Sequence, residues 1–216
     1  MSKPPRPRRP WWFPLAALAI PFGLLAVLEA GLRVFGFGYP TGFFRAGQIQ
    51  GKPVYIENQD FARRFFPPGL QRTPESLALE TPKPPATHRI FVLGESAAQG
   101  DPEPAFGCAR MIEVLLQARD PGQRFEVVNV AVTAINSHVI RYIARDCAAQ
   151  QGDVWVIYMG NNEVVGPFGA GTVFGAQVPS PGFIRASLAL KVTRVGQLLD
   201  VVHWRLEGAK APKAWE

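Results

Sequence analysis

Ser96 is the residue of this sequence best placed to do covalent chemistry. It ends the stretch Ile90-Phe91-Val92-Leu93-Gly94-Glu95-Ser96, where an apolar run meets a glycine, an acid and a hydroxyl. A serine there is either a nucleophile or a cap on the helix that follows. As a nucleophile it is weak without an adjacent base. The chain offers three histidines, His88, His138 and His203. His88 precedes the apolar run and so falls at its far end. His138 opens a helical segment nearer the serine, where a structural or a substrate-binding role is open. Two further polar stretches, Val130 to Asn136 and Gly160-Asn161-Asn162-Glu163, each follow an apolar run of their own. Alone, Asn162 is a turn or capping residue.

The elements that must hold these residues are legible in the hydrophobic periodicity. Ile90 to Leu93, Phe125 to Val130 and Val154 to Met159 are short runs rich in β-branched and aromatic side chains, which predicts three strands. Between them Cys108, Met111, Ile112, Leu115 and Leu116 recur on one helical face, as do Val139, Ile140, Ile143, Ala144, Cys147 and Ala148. Strands alternating with helices imply a parallel sheet with right-handed crossovers. Ligands of such sheets bind at the carboxyl ends of the strands. The three polar stretches therefore converge on one rim. Both cysteines, Cys108 and Cys147, fall in the helices, and two cysteines make neither a disulfide framework nor a metal set.

The N-terminal part has a different character. Trp11 to Leu28 is 18 residues without a charge, long enough as a helix for a hydrocarbon core of about 30 Å. Lys3, Arg6, Arg8 and Arg9 precede it, while Glu29 and Arg33 follow at a spacing that pairs them on one helix face. No small-x-small cleavage site follows, so residues 11–35 are expected to be an uncleaved anchor contacting the lipid bilayer. The N-terminal tail, 1–10, is then cytoplasmic and the main domain extracytoplasmic at the cell membrane. Residues 36–87, interrupted by prolines and dotted with aromatics, predict an irregular stalk packed on the following domain, with Val54-Tyr55-Ile56 as an edge strand. The net charge of +6 is largely that N-terminal cluster, which leaves no face for nucleic acid.

Spacing excludes several familiar sites. No lysine completes a phosphate loop between Gly94 and Gly100, and no G-x-G-x-x-G follows the first strand. Ala98 stands where a nucleophile elbow needs its second glycine. The pattern over about residues 88–165 instead resembles the SGNH (GDSL-like) hydrolases, serine esterases and acyltransferases with a flavodoxin-like three-layer α/β sandwich around a parallel sheet. The resemblance makes Ser96 in Gly94-Glu95-Ser96 the nucleophile. It makes Ala134, where the family has a glycine, a main-chain oxyanion donor, and Asn162 in Gly160-Asn161-Asn162-Glu163 a side-chain donor. Gly94, Glu95 and Gly160 support them. The wider chain resembles the membrane-anchored members.

The same resemblance calls for a histidine in a D-x-x-H block, after two further strands. Asp200-Val201-Val202-His203 has that spacing, but Leu188, Val192, Val195, Leu199, Val202 and Leu206 step by 4,3,4,3,4 and put the pair on the flank of an amphipathic helix. The hydrolase-like domain is accordingly expected to span 88–206, incomplete at its C-terminus with an unpaired sheet edge, and 207–216 to be a tail. The function implied is ester hydrolysis or O-acyl transfer through a Ser96 acyl-enzyme, without metal or cofactor, on an acylated small molecule, glycan or lipid. The alternative is a catalytically dead membrane-anchored scaffold.

Overall fold

A computed structural model of the chain describes residues 10, 12–175 and 177–207. The expectations for the two tails, and for Trp11 in the anchor, fall on residues outside that set except at Pro10 and Glu207. Helix α1, Phe13–Val34, opens the described chain. It has 22 residues, about 33 Å at the α-helical rise, and is long and apolar enough to cross a membrane. From Trp12 to Leu28 every residue but Ala16 is exposed. Past Ala16 the next half-buried residues of α1 are Glu29, Gly31 and Leu32. Arg33 pairs there with Glu29 at 2.7 Å, the i,i+4 bridge the spacing requires.

Residues 36–87 are more regular than their prolines imply. Strands β1 (Phe44–Ile49), β2 (Lys52–Glu57) and β3 (Ala78–Glu80) form an antiparallel sheet in the order β1-β2-β3. Val54-Tyr55-Ile56, expected at an edge, lies in the central strand, with Val54 opposite both Gly47 and Glu80. The aromatics explain why this piece packs rather than dangles. Phe43, Phe61, Phe65 and Phe66 are buried in one cluster with Phe91, Leu93 and Val128 of the second sheet. Rings of Phe43 and Phe61 meet edge-on at 5.1 Å, a favoured aromatic geometry. Asn58, fully buried, donates to the carbonyls of Pro40 and Gly42, so the turn before β1 leaves no orphaned carbonyl there.

The second sheet is parallel and three-stranded. Strand β4, Thr87–Gly94, is central, with β5 (Arg124–Asn129) on one side and β6 (Val154–Tyr158) on the other. Ile90 faces Val127 of β5 and Val154 of β6. All six β4 residues after His88 are buried, as expected of a strand covered on both faces. Helices α3 (Cys108–Arg119) and α4 (Ser137–Ala148) make the two crossovers. α4 buries Val139, Ile140, Ile143 and Cys147, the face its periodicity indicates, although Ala148 is exposed. α3 differs: Met111 and Leu115, read as core, are 55% and 68% exposed. It lies against β5, an edge strand, and much of its apolar face overhangs. β6 is the other edge, with Val154, Ile157 and Tyr158 exposed. Cys147 is buried and free, and Cys108 is free and half-buried. Helices α5 (Pro181–Leu190) and α6 (Arg194–Glu207) follow β6, and buried Arg64 ties α5 down by donating twice to the Leu188 carbonyl.

Candidate functional site

The rim at the carboxyl ends of β4, β5 and β6 is built around one carboxylate. Gly94 ends β4 so close to β6 that a Cβ there would collide with the Tyr158 carbonyl and the Ala98 side chain. Glu95 comes next. It is 1% exposed, and its carboxylate accepts from the main-chain N–H groups of Gly160, Asn161 and Asn162 at 3.3, 2.9 and 3.2 Å. A buried carboxylate must be hydrogen-bonded to be tolerated. These three donors satisfy it while pulling the loop after β6 onto the turn that carries Ser96. Glu95 bridges β4 and β6, on either side of the point where the strand order reverses, the place where open parallel sheets bind ligands.

Ser96 begins α2, Ser96–Gln99, and is partly exposed. Its Oγ makes no hydrogen bond among the described residues. As a helix cap it would have been spent on a main-chain N–H, so the capping role open to it in the sequence is not the one it takes. Asn162 is half-buried, and its side-chain amide is likewise uncommitted among the described residues, only its main chain being engaged. Gly160, at φ +140°, provides the turn that turns the loop back toward Glu95.

The loop after β5 completes the rim. Val132 N–H donates to the Gly94 carbonyl at 3.2 Å, which lays the loop along the end of β4. Asn129 donates to the Gln99 carbonyl and accepts from Ala131 N–H, and Thr133 Oγ bonds Gln99 and Asp101. Ala134 then sits at φ +62°, the left-handed region where an L-residue is strained by about 1–2 kcal/mol. The turn suits glycine, and the chain carries alanine in it.

Other ties were not legible beforehand. Glu163 accepts from the Ser137 N–H and hydroxyl at 2.9 and 2.8 Å, and so caps α4 from the neighbouring strand end. Fully buried Asn136 donates to the Pro167 carbonyl, while its Oδ1 has no partner. Phe168 stands at φ +65°, its ring edge-on to His138 at 5.8 Å. The glycines of this loop are needed for space: a Cβ on Gly166 would meet the Asn162 carbonyl at 2.6 Å.

Three residues considered as bases do not join Ser96. His88 stacks on Phe125 at the opposite end of β4. Asp200 and His203 lie on α6, as the helical stepping indicates. Asp200 pairs with Lys191 at 2.8 Å and lines a cavity of about 120 Å³ with Tyr39, Arg63, Phe66 and Trp204, to which none of the three strand-end loops contributes. Burial there pushes the Tyr39 hydroxyl up to about 12, with the Asp200 carboxylate adding to the rise. His203 is exposed and its ring lies against Trp204. Among the described residues no cluster of three or more metal-binding side chains occurs. No protein-family model, no curated protein and no solved structure matches the chain.

Proposed function

We propose that the chain is a membrane-anchored serine acyl-transfer protein of the SGNH type, with Ser96 as nucleophile. The observation that carries this reading is the Glu95 clamp, which gathers Ser96 and the Asn162 loop at the strand-order reversal. The strand order β5-β4-β6, second-first-third along the parallel sheet, is that with which flavodoxin-like sheets begin. In the proposed reaction Ser96 Oγ attacks the carbonyl carbon of an ester and gives its proton to a solvent water. The carbonyl π-pair moves onto oxygen, then returns as the alkoxide leaves and takes a proton from solvent. Water hydrolyses the resulting acyl-enzyme, or a hydroxyl acceptor takes the acyl group. The main-chain N–H groups of Ser96 and Ala134 and the Asn162 amide are the proposed oxyanion donors, each worth about 2.7–4 kcal/mol in such sites. Without an adjacent base in this scheme Ser96 is a weak nucleophile, and acylation is slow. An oxyanion hole and binding alone still accelerate by about 10³–10⁴ over water. In this reading α1 anchors the site at the cell membrane, the basic residues that precede α1 favour the side outside the cytoplasm, and the proposed substrate is an acylated small molecule, glycan or lipid.

A fluorophosphonate probe tests the reading. Label located on the Ser96 peptide and abolished by Ser96→Ala is the expected result. A folded protein that takes no label favours the second reading, an inert membrane-anchored scaffold. The pairing of Asp200 with Lys191, which takes up the carboxylate of the D-x-x-H spacing, is the observation on that side.

A further inference from the structure

The 4,3,4,3,4 stripe of the C-terminal segment does not do what such a stripe does in a folded core. Leu188 is buried, but Leu199, Val202 and Leu206 on α6 are 55%, 44% and 82% exposed. α6 is two-faced. Gln197, Asp200, Val201 and Trp204 turn toward Tyr39, Arg63 and Phe66 of the body. Val195, Leu199, Val202 and Leu206 fall within about 60° of one another on the opposite side, by the 100° step of an α-helix. An apolar stripe pointing away from the body wants a partner.

The position of α6 identifies the partner. Val195 N–H donates to Glu29 Oε2 at 2.9 Å, so the stripe starts beside the last turns of α1. α6 does not run down the anchor, since nearly all of α1 before Glu29 is uncovered. α6 carries the body on one face and the apolar stripe on the other. Arg205 flanks the stripe, exposed, where its long side chain can reach the headgroup region while the stripe is buried. We infer that α6 lies in the plane of the bilayer surface, its Val195–Leu199–Val202–Leu206 stripe set into the headgroup and upper acyl region. This rests on reading α1 as a bilayer span. Helices of this kind bury their apolar face about 5–10 Å into the interface. α1 and α6 then hold the body in one orientation on the membrane, which a single flexible tether would not.

The test uses the full chain in vesicles of phosphatidylcholine and phosphatidylglycerol in equal parts, with single cysteines carrying the environment-sensitive dye NBD. Cys108 is changed to Ser. Cys147 stays, being buried with its thiol pushed up by that burial. Dye is placed by Leu199→Cys, Leu206→Cys, Leu18→Cys in α1, and Gly122→Cys in the open turn before β5. Lipids bearing a nitroxide near the top of the acyl chain are the quencher. Positions 199 and 206 are expected to be quenched at least about threefold more than position 122, as an interfacial helix requires. If they match position 122 while position 18 is quenched, α6 is off the membrane and the inference fails with the anchor intact. An unquenched position 18 removes the anchor reading, and this inference with it. Dyes at 199 that quench one another without nitroxide, and are untouched by it, assign the stripe to a second copy and overturn the inference.

Discussion

The two ends of β4 both hold a buried charged side chain, and they treat it differently. At the amino end Arg89, 2% exposed, donates to Glu126 at 2.6 Å and to the carbonyls of Gln150 and Glu80. Its own N–H donates to Asp153, which also pairs with Lys83. Each of its donating nitrogens is spent on tying β3, β5 and the turn before β6 to β4. At the carboxyl end Glu95 is as buried and as fully hydrogen-bonded, but what it organises is unfinished: Ser96 Oγ and the Asn162 amide uncommitted among the described residues, Ala134 in a left-handed turn, and Asn136 Oδ1 without a partner. A network that closes on itself holds a fold together. One that leaves uncommitted groups and strain on a partly exposed rim is arranged for something else.

This contrast predicts which changes hurt stability and which hurt chemistry. The largest loss of stability belongs to the amino end. Arg89→Met strands Glu126 and two carbonyls and is expected to cost about 3–5 kcal/mol, measured by chemical denaturation of the full chain in detergent. The rate at which the remaining folded protein reacts at Ser96 should not change. Glu95→Gln removes the charge but keeps an acceptor and the shape, and should cost about 2 kcal/mol by the same measurement. A loss as large as that of Arg89→Met would erase the distinction between the two ends.

Smaller changes sharpen the contrast. Ala134→Gly relieves the left-handed strain at the expense of unfolded-chain entropy, for an expected net gain of about 0.5–1 kcal/mol. A destabilised Ala134→Gly protein would show that the turn is not strained. The smallest effect concerns Asp153. The hydrogen bond from the Lys83 ammonium, with that from Arg89 N–H, holds its carboxyl below the usual aspartate range. Its folded value is thus below its unfolded one. The stabilisation is present above the unfolded value of about 3.9 and is lost as pH falls through the folded value. Asp153→Asn should cost up to about 1 kcal/mol at neutral pH, a solvent-accessible pair being worth little more, and nothing in strong acid.

The parallel sheet, its crossovers and the convergence of three polar loops were readable because each strand is a compact apolar run and each loop carries its own punctuation. The antiparallel sheet was not. β1 is Phe-Arg-Ala-Gly-Gln-Ile and β3 only three residues, so neither alternates, and their stability comes from Phe43, Phe61 and Phe65 packing across to Phe91. Such tertiary override leaves no local pattern. The periodicity of α3 and α6 correctly announced helices, but the apolar face of α3 was misassigned to the core, because period alone does not say whether core or something else covers a stripe. At the site, the acid before Ser96 was visible, but its role was not. Three main-chain donors sixty-five and more residues away are a fact of topology, not of spacing.

In the proposed reaction Glu95 sets the geometry in which Ser96 reacts. Its most direct test is the rate of fluorophosphonate labelling at Ser96 in the wild-type chain and in Glu95→Gln, both checked for folding by circular dichroism. Labelling of the wild type and a fall of about tenfold or more in the variant are expected, since small misplacements of reacting groups carry penalties of that order. Equal rates in the two folded proteins, or no labelling of the folded wild type, would contradict it.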